Sequence, residues 1–317
     1  MSAAGWRATL RDTVVGAVAI VSVSAVSAAE LDYHLRPRQV AEGVYVFEGA
    51  NDDFSTRNGC NIINTGFVVT GAGVVVINTG PSRLYGEQQR AAIRRITAEP
   101  VVRVLNLNLH PDYLFGNQAY ADVAIGALPG TIRDMRAEAP AFLDNLYRIC
   151  GDWMKGTEFL PASVPLDAGD LRIGDRILRL QRLEGHTNDD LIVIDERTGV
   201  LFAGGLVFHT RVPTTPHARI GPWLASLEKL RELPFRVLVP SHGHVAPDAS
   251  GIDQTRDYLG WLDATLDAAA REGRDLNEVL AVPMPERFRG FAAREPEYVR
   301  NVTHLYGPYE RRALEGR

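Results

Sequence analysis

Apolar and polar residues alternate with a period of two in "GVYVFEG" (residues 43–49), as they do in a half-buried strand. The segment "NIINTGFVVTGAGVVVINTG" (61–80) then carries two β-branched runs around "GAG", which predicts a hairpin. Ser82 is placed to cap a helix through "YGEQQRAAIRRIT" (85–97), with Pro100 closing it. "VVRVLNLNL" (101–109) reads as the next strand and runs at Pro111 into a helical turn. "ADVAIGAL" (121–128) is a short strand, followed by a helical stretch over about 131–153 that Pro140 is expected to interrupt.

The second half repeats this grammar. "LRIGDRILRLQRL" (171–183) predicts a hairpin bent at "IGD", and "LIVID" (191–195) and "GVLFAGG" (199–205) are two further strands. Trp223, Leu227 and Leu230 recur at helical spacing, and "FRVLVPSHGH" (235–244) is a strand running into a loop. Ile252, Thr255, Leu259, Leu262 and Leu266 mark one face of a long helix. "GVVVINTG" (73–80) and "GVLFAGG" echo each other as strands ending at glycine. Two β-rich halves with outer helices predict two sheets packed face to face and covered by helices on both sides. No linker divides them.

The start of the chain does not fit this pattern. Arg7 and Arg11 precede "TVVGAVAIVSVSAVSAA", a run of small and apolar residues that ends at Ala28 and Ala29. It falls short of the roughly 20 residues of a membrane span and has the layout of a cleaved secretory signal. The expected organisation is a signal peptide over 1–29 and one domain over 30–317, with a periplasmic or secreted location and no membrane span after cleavage. An uncleaved N-terminal anchor is the alternative.

Charge and cysteine content narrow the function classes. The formal net charge is −5 and no block of Lys or Arg forms a basic face, which argues against nucleic acid as a partner. Cys60 and Cys150 stand 90 positions apart; a disulfide and two separate buried thiols are both compatible with that spacing. Neither belongs to a CxxC pair, so a redox or zinc-ribbon role has no support.

Polar residues with ligand chemistry cluster at strand ends. His110 and Asp112 follow one strand in "NLNLHPDYLFGN", His186 sits in "LEGHTNDD", Gly205 closes "LFAGG", and His242 sits in "VPSHGH". This order and spacing resembles the metallo-β-lactamase superfamily. The phrases "NTGFVVTGAGVVVINTGPS", "HPDYLFGNQAYADV", "GDWMKGTE", "VFHTRVPTTP" and "LPFRVLVPSHG" look like its branch of quinoprotein relay system zinc metallohydrolases, exported proteins linked to periplasmic quinoprotein metabolism. The resemblance implies an α/β (α+β) fold, an αβ/βα four-layer sandwich of two mixed β-sheets flanked by helices. It also implies a one- or two-zinc site that hydrolyses an ester, thioester or amide through metal-activated water. His110 and His186 would serve one zinc, Asp112 and His242 the other.

Several positions depart from that pattern. Asn108 stands where the family has its first His, Tyr113 where it has the motif-closing His, Gly205 where it has the bridging Asp, and Asn78 where an Asp usually follows the strand. A hydrolytic zinc needs about three protein ligands and an open position for water. An Asn amide is a poor substitute for imidazole, a Tyr phenol must first lose a proton with a reference pKa of about 10, and Gly205 bridges nothing. A two-zinc centre is therefore not expected; a single zinc ion, weakly held by His110, His186 and Asp112 with water, is the most the site would take, and an empty site is the alternative.

Three readings follow. The first is an exported hydrolase of quinoprotein-relay type with weak or lost activity. The second is a non-catalytic periplasmic binding or accessory protein that uses the old crevice for a small-molecule ligand, or meets a quinoprotein or cytochrome partner. The third is a metal-free hydrolase with His110 or His242 as general base, Asp112 orienting it and Tyr113 polarising the substrate. Ser241 beside His242 forms no triad, because a nucleophile and its base need facing side chains. "PTTP" (213–216) is read as a rigid loop over the cleft, His209, His217 and His244 as loop residues able to supply a replacement ligand, and the sequon Asn301-Val302-Thr303 as a chance match in a helix.

Overall fold

A computed structural model describes residues 1–2 and 31–315 of the chain, so the expected signal segment lies outside the described residues. The chain divides into two units, Met1–Leu31 and Asp32–Arg317, and the second carries the fold. Among the described residues no helix is long and apolar enough to cross a membrane.

The first half opens with an antiparallel meander of β1 (Arg38–Ala41), β2 (Val44–Phe47), β3 (Thr65–Val69) and β4 (Val74–Ile77). Helix α1 (Arg83–Ile96) follows, with Ser82 accepting a hydrogen bond from the Tyr85 backbone N–H as its N-cap. Then come β5 (Val101–Leu105), the single turn α2 (Pro111–Leu114), β6 (Ile125–Ala127), α3 (Pro129–Cys150) and β7 (Val164–Pro165). Strands β4 to β7 pair in parallel, so the seven strands form one mixed sheet in chain order.

The second sheet starts with β8 (Gly169–Ile173) and β9 (Arg176–Leu183), joined through the predicted bend at Gly174. It continues with β10 (Asp190–Asp195) and β11 (Val200–Phe202), crosses over through α4 (Ile220–Arg231), and ends with β12 (Val237–Val239) parallel to β11. Helices α5 (Ser250–Glu272), α6 (Leu276–Leu280) and α7 (Arg294–Glu315) complete the chain.

Alternation along the strands explains the layering. In β10, Leu191 and Val193 belong to the core shared with the first sheet, while Ile192 and Ile194 belong to a second core with α4, α5 and α7. β11 divides the same way, with Val200 and Phe202 to one side and Leu201 to the other. A strand buried on both faces reads as the continuous apolar run seen in "LIVID". Two mixed sheets flanked by helices are therefore the observed architecture, as the hydropathy pattern predicted.

Two cross-links reach between distant segments. Cys60 and Cys150 form a disulfide with a Cα–Cα separation of 6.0 Å, joining the loop 50–62 to the end of α3. Arg176 holds Asp195 through two hydrogen bonds of 2.6 and 2.8 Å and reaches the Glu42 carbonyl at 2.9 Å, fastening the β1–β2 turn to the second sheet. One expectation fails. Pro140 does not interrupt α3, which is helical throughout Pro129–Cys150. Buried Met135, Ala139 and Leu146 anchor the helix on both sides of the proline, and that packing outweighs the cost of about 3 kcal/mol for a proline inside a helix.

Candidate functional site

Parallel strands deliver their C-terminal ends to one edge of a sheet, and the loops there carry the polar residues. His110 and Asp112 follow β5, His186 lies between β9 and β10, Gly205 follows β11, and His242 follows β12. The two sheets bring these loops together, so His110, Asp112, His186 and His242 all line one crevice of about 260 Å³. Phe54, Ile62, Phe142 and Phe208 give it apolar walls.

The atoms that would face a metal face one another instead. His110 Nε2 lies 2.9 Å from His217 Nδ1, and His242 Nε2 lies 2.9 Å from Asp112 Oδ2. Contacts of that length need a proton between the two atoms, so these lone pairs are committed. His186 Nδ1 faces Asp190 Oδ1 at 3.2 Å and Asn108 Nδ2 at 3.4 Å. Asn108, at the position of a family ligand, turns its Oδ1 to the backbone N–H of His110 at 2.9 Å. Asn78, where the family has an acid, adopts a left-handed φ of 57° and accepts the Leu107 N–H at 2.9 Å.

Gly205 shows why no carboxylate bridges the site. A Cβ on this residue would fall inside the His186 imidazole and 2.6 Å from Asn108 Nδ2. The ring occupies the volume that a side chain at residue 205 would need. A zinc centre needs about three protein donors aimed at one point some 2.0–2.3 Å away. Among the described residues no three His, Cys, Asp or Glu side chains converge in that way. The donor set as folded does not fit the zinc that the resemblance implies.

Burial favours the neutral form of three imidazoles at the site. Burial holds His110 well below the ordinary imidazole pKa, reinforced by His186, His217 and His242. Burial also lowers His242, against the opposing pull of its hydrogen bond to Asp112. Phe208 stacks on the His242 ring, with centroids 4.9 Å apart and planes within 3°. Ser241 Oγ lies 3.0 Å from the Val207 carbonyl and 2.9 Å from His242 Nδ1, so it is engaged within the wall and presents no nucleophile to the crevice.

Tyr113 is not where the sequence reading needed it. Its hydroxyl is buried beside Ser241 and Asn108, forms no well-aligned hydrogen bond among the described residues and does not line the crevice. Burial, then the neighbouring Asp112, raises its pKa well above the usual phenol value, so it neither meets a ligand nor loses its proton readily. His217 does reach the site, brought by the loop after Arg211.

Sequence reasoning missed the outer end of the crevice. Glu297, Arg300 and His304 of α7 line it together with Arg211 and Asp53. Their spacing of three and four residues places them on one helical face, but a polar stripe on a terminal helix normally signals only a solvated surface. Asn301 of the sequon is fully buried and donates to Pro213 O and Tyr258 OH, as expected of a chance match.

Comparison with known proteins agrees with the fold. The chain is 22% identical over 277 residues to linear primary-alkylsulfatase of Pseudomonas sp. (strain ATCC 19151), covering 73% of this chain and 52% of that enzyme. It is 27% identical over 193 residues to acyl-coenzyme A thioesterase MBLAC2 of Bos taurus, covering 52% of this chain and 66% of that protein. The chain thus spans less than two thirds of the length of these curated relatives. Among solved structures, a metallo-beta-lactamase from Pontibacter korlensis superposes with a TM-score of 0.58 at 22% identity, over 71% of this chain and 99% of its own. The metallo-beta-lactamase from Hirschia baltica gives 0.56 at 17% identity, over 71% and 97%. A sequence model of the metallo-beta-lactamase superfamily matches residues 58–242, which contain His110, Asp112, His186 and His242, and the chain belongs to that superfamily.

Proposed function

We propose that this protein uses its inherited crevice to bind a small molecule, and that zinc-dependent hydrolysis is weak or lost. The observation that carries this reading is the His186 imidazole in the space of a side chain at residue 205. Loading two ions would require that ring to leave, the His110–His217 and His242–Asp112 hydrogen bonds to break, and a bridging ligand that the chain lacks. The relatives include an alkylsulfatase and an acyl-coenzyme A thioesterase, so an ester-bearing or thioester-bearing ligand is the natural class to screen.

Metal analysis tests this directly. Protein purified without chelator and dialysed against micromolar zinc should hold less than stoichiometric metal and should not hydrolyse p-nitrophenyl acetate or an acyl-coenzyme A above background. Stoichiometric zinc together with turnover that a chelator abolishes would overturn the reading.

Export to the periplasm and association with a quinoprotein or cytochrome belong to the same proposal. The disulfide supports the oxidising compartment, since such bonds persist mainly outside the cytosol. Fractionation of cells producing a C-terminally tagged chain checks it: recovery in the cytoplasm with reduced cysteines would remove that part.

A further inference from the structure

The outer end of the crevice is built by segments on either side of the family-matched stretch 58–242. Loop 50–62 supplies Asp53 and Phe54, and α7 supplies Glu297 and Arg300. One ion pair joins them, Arg300 Nη2 to Asp53 Oδ2 at 2.9 Å.

The two acids on Arg300 differ in kind. Glu297 is 2% exposed and also accepts from Arg211 Nη2 at 3.1 Å and Thr214 Oγ1 at 2.8 Å, so it is fixed within the wall. Asp53 and Arg300 have side chains 28% and 39% exposed, and a pair at that level contributes at most about 1 kcal/mol. Releasing Asp53 leaves Arg300 anchored by Glu297, at 3.1 Å through Nε and 3.0 Å through Nη2. The loop itself stays in place, held by the disulfide and by Asn51 Nδ2 on Thr210 Oγ1 at 2.9 Å. The exchange is then a local side-chain event.

Resting on the binding reading above, we propose that the crevice takes a small anionic amphiphile whose carboxylate displaces Asp53 from Arg300. A guanidinium that already donates to one carboxylate on this edge can donate to another, with the geometric preference of a charge-assisted pair. The apolar body lies against Phe54, Phe142 and Phe208, in a volume suited to a single ring or a short chain. Asp53 is accordingly an internal competitor for the ligand's position.

Calorimetric titration with benzoate and with its neutral analogue benzamide tests this. Benzoate should bind at least about tenfold more tightly than benzamide, the worth of one charge-assisted contact. Arg300→Gln should erase that preference. Asp53→Asn should tighten benzoate binding about two- to fivefold by removing the competitor, an increase that a merely structural role for Asp53 does not produce. Unchanged circular dichroism of each variant shows that its fold is intact, and the Asp53→Asn arm decides the matter should Arg300→Gln misfold. Equal affinity for benzoate and benzamide would overturn the anion proposal and leave the binding crevice standing. Binding of neither compound would overturn both, and a weaker benzoate complex in Asp53→Asn would overturn the displacement.

Discussion

The His186 ring and Gly205 are complementary: the imidazole occupies the volume into which any side chain at residue 205 would project. A side chain at residue 205 and the present position of the His186 ring exclude each other. Gly205→Ala should destabilise the fold by about 1–3 kcal/mol through overpacking, read as a lowered midpoint in urea unfolding. An unchanged midpoint would mean that the His186 ring swings away freely and that the site remains convertible. Gly205→Asp alone should behave worse and gain no zinc.

Tyr113 provides a test of the opposite sign. Its buried hydroxyl forms no well-aligned hydrogen bond among the described residues, so Tyr113→Phe should leave stability unchanged or slightly raised, and ligand binding unaffected. A loss above about 1 kcal/mol would show that the hydroxyl makes a hydrogen bond in solution. Loss of ligand binding would return Tyr113 to the functional site.

Acid should weaken the fold through the histidine cluster. His110 and His217 are held below their unfolded pKa by burial, so the unfolded chain takes up protons that the folded chain refuses. Stability should be flat above about pH 6.5 and fall below it, with a slope approaching 1.4 kcal/mol per pH unit for each histidine kept neutral. Urea unfolding at pH 7.5, 6.5 and 5.5 measures this, and a His110→Gln variant should show a shallower slope. Stability that holds or rises toward pH 5.5 would mean that the cluster is protonated in the native state.

The disulfide should matter for stability as well as for loop position. Replacing Cys60 and Cys150 by serine opens a cross-link over 90 residues and should cost about 2–5 kcal/mol. Hydrogen exchange should rise first in loop 50–62 and at the end of α3, because both lose their tether. Uniform exchange across all elements would show that the bond has no local role.

Strand and helix order was legible because each element states its environment in its own residues. "LIVID" announces a strand buried on both faces, and Ser82 announces a helix start that the Tyr85 N–H confirms. The four strand-end positions of the crevice floor were legible too, since a shared spacing in sequence survives the loss of ligand chemistry. Pro140 was misjudged because a local penalty was weighed without the packing on either side of it. The burial of Tyr113 was not legible, because residue order says nothing about which way a side chain points from a four-residue turn.

The sequence by itself determined the two-sheet architecture, the superfamily and the substitutions at Asn108, Tyr113 and Gly205, all of which are local or depend on order along the chain. Only the tertiary structure decided how the surviving donors are spent: His110 on His217, 107 residues away, and His242 on Asp112, 130 residues away. It alone placed α7 and loop 50–62 at the mouth of the crevice. The physical reason is that hydrogen-bond pairing and the filling of a lost side chain's volume depend on distances of a few ångströms between segments far apart in sequence, and no local pattern encodes those distances.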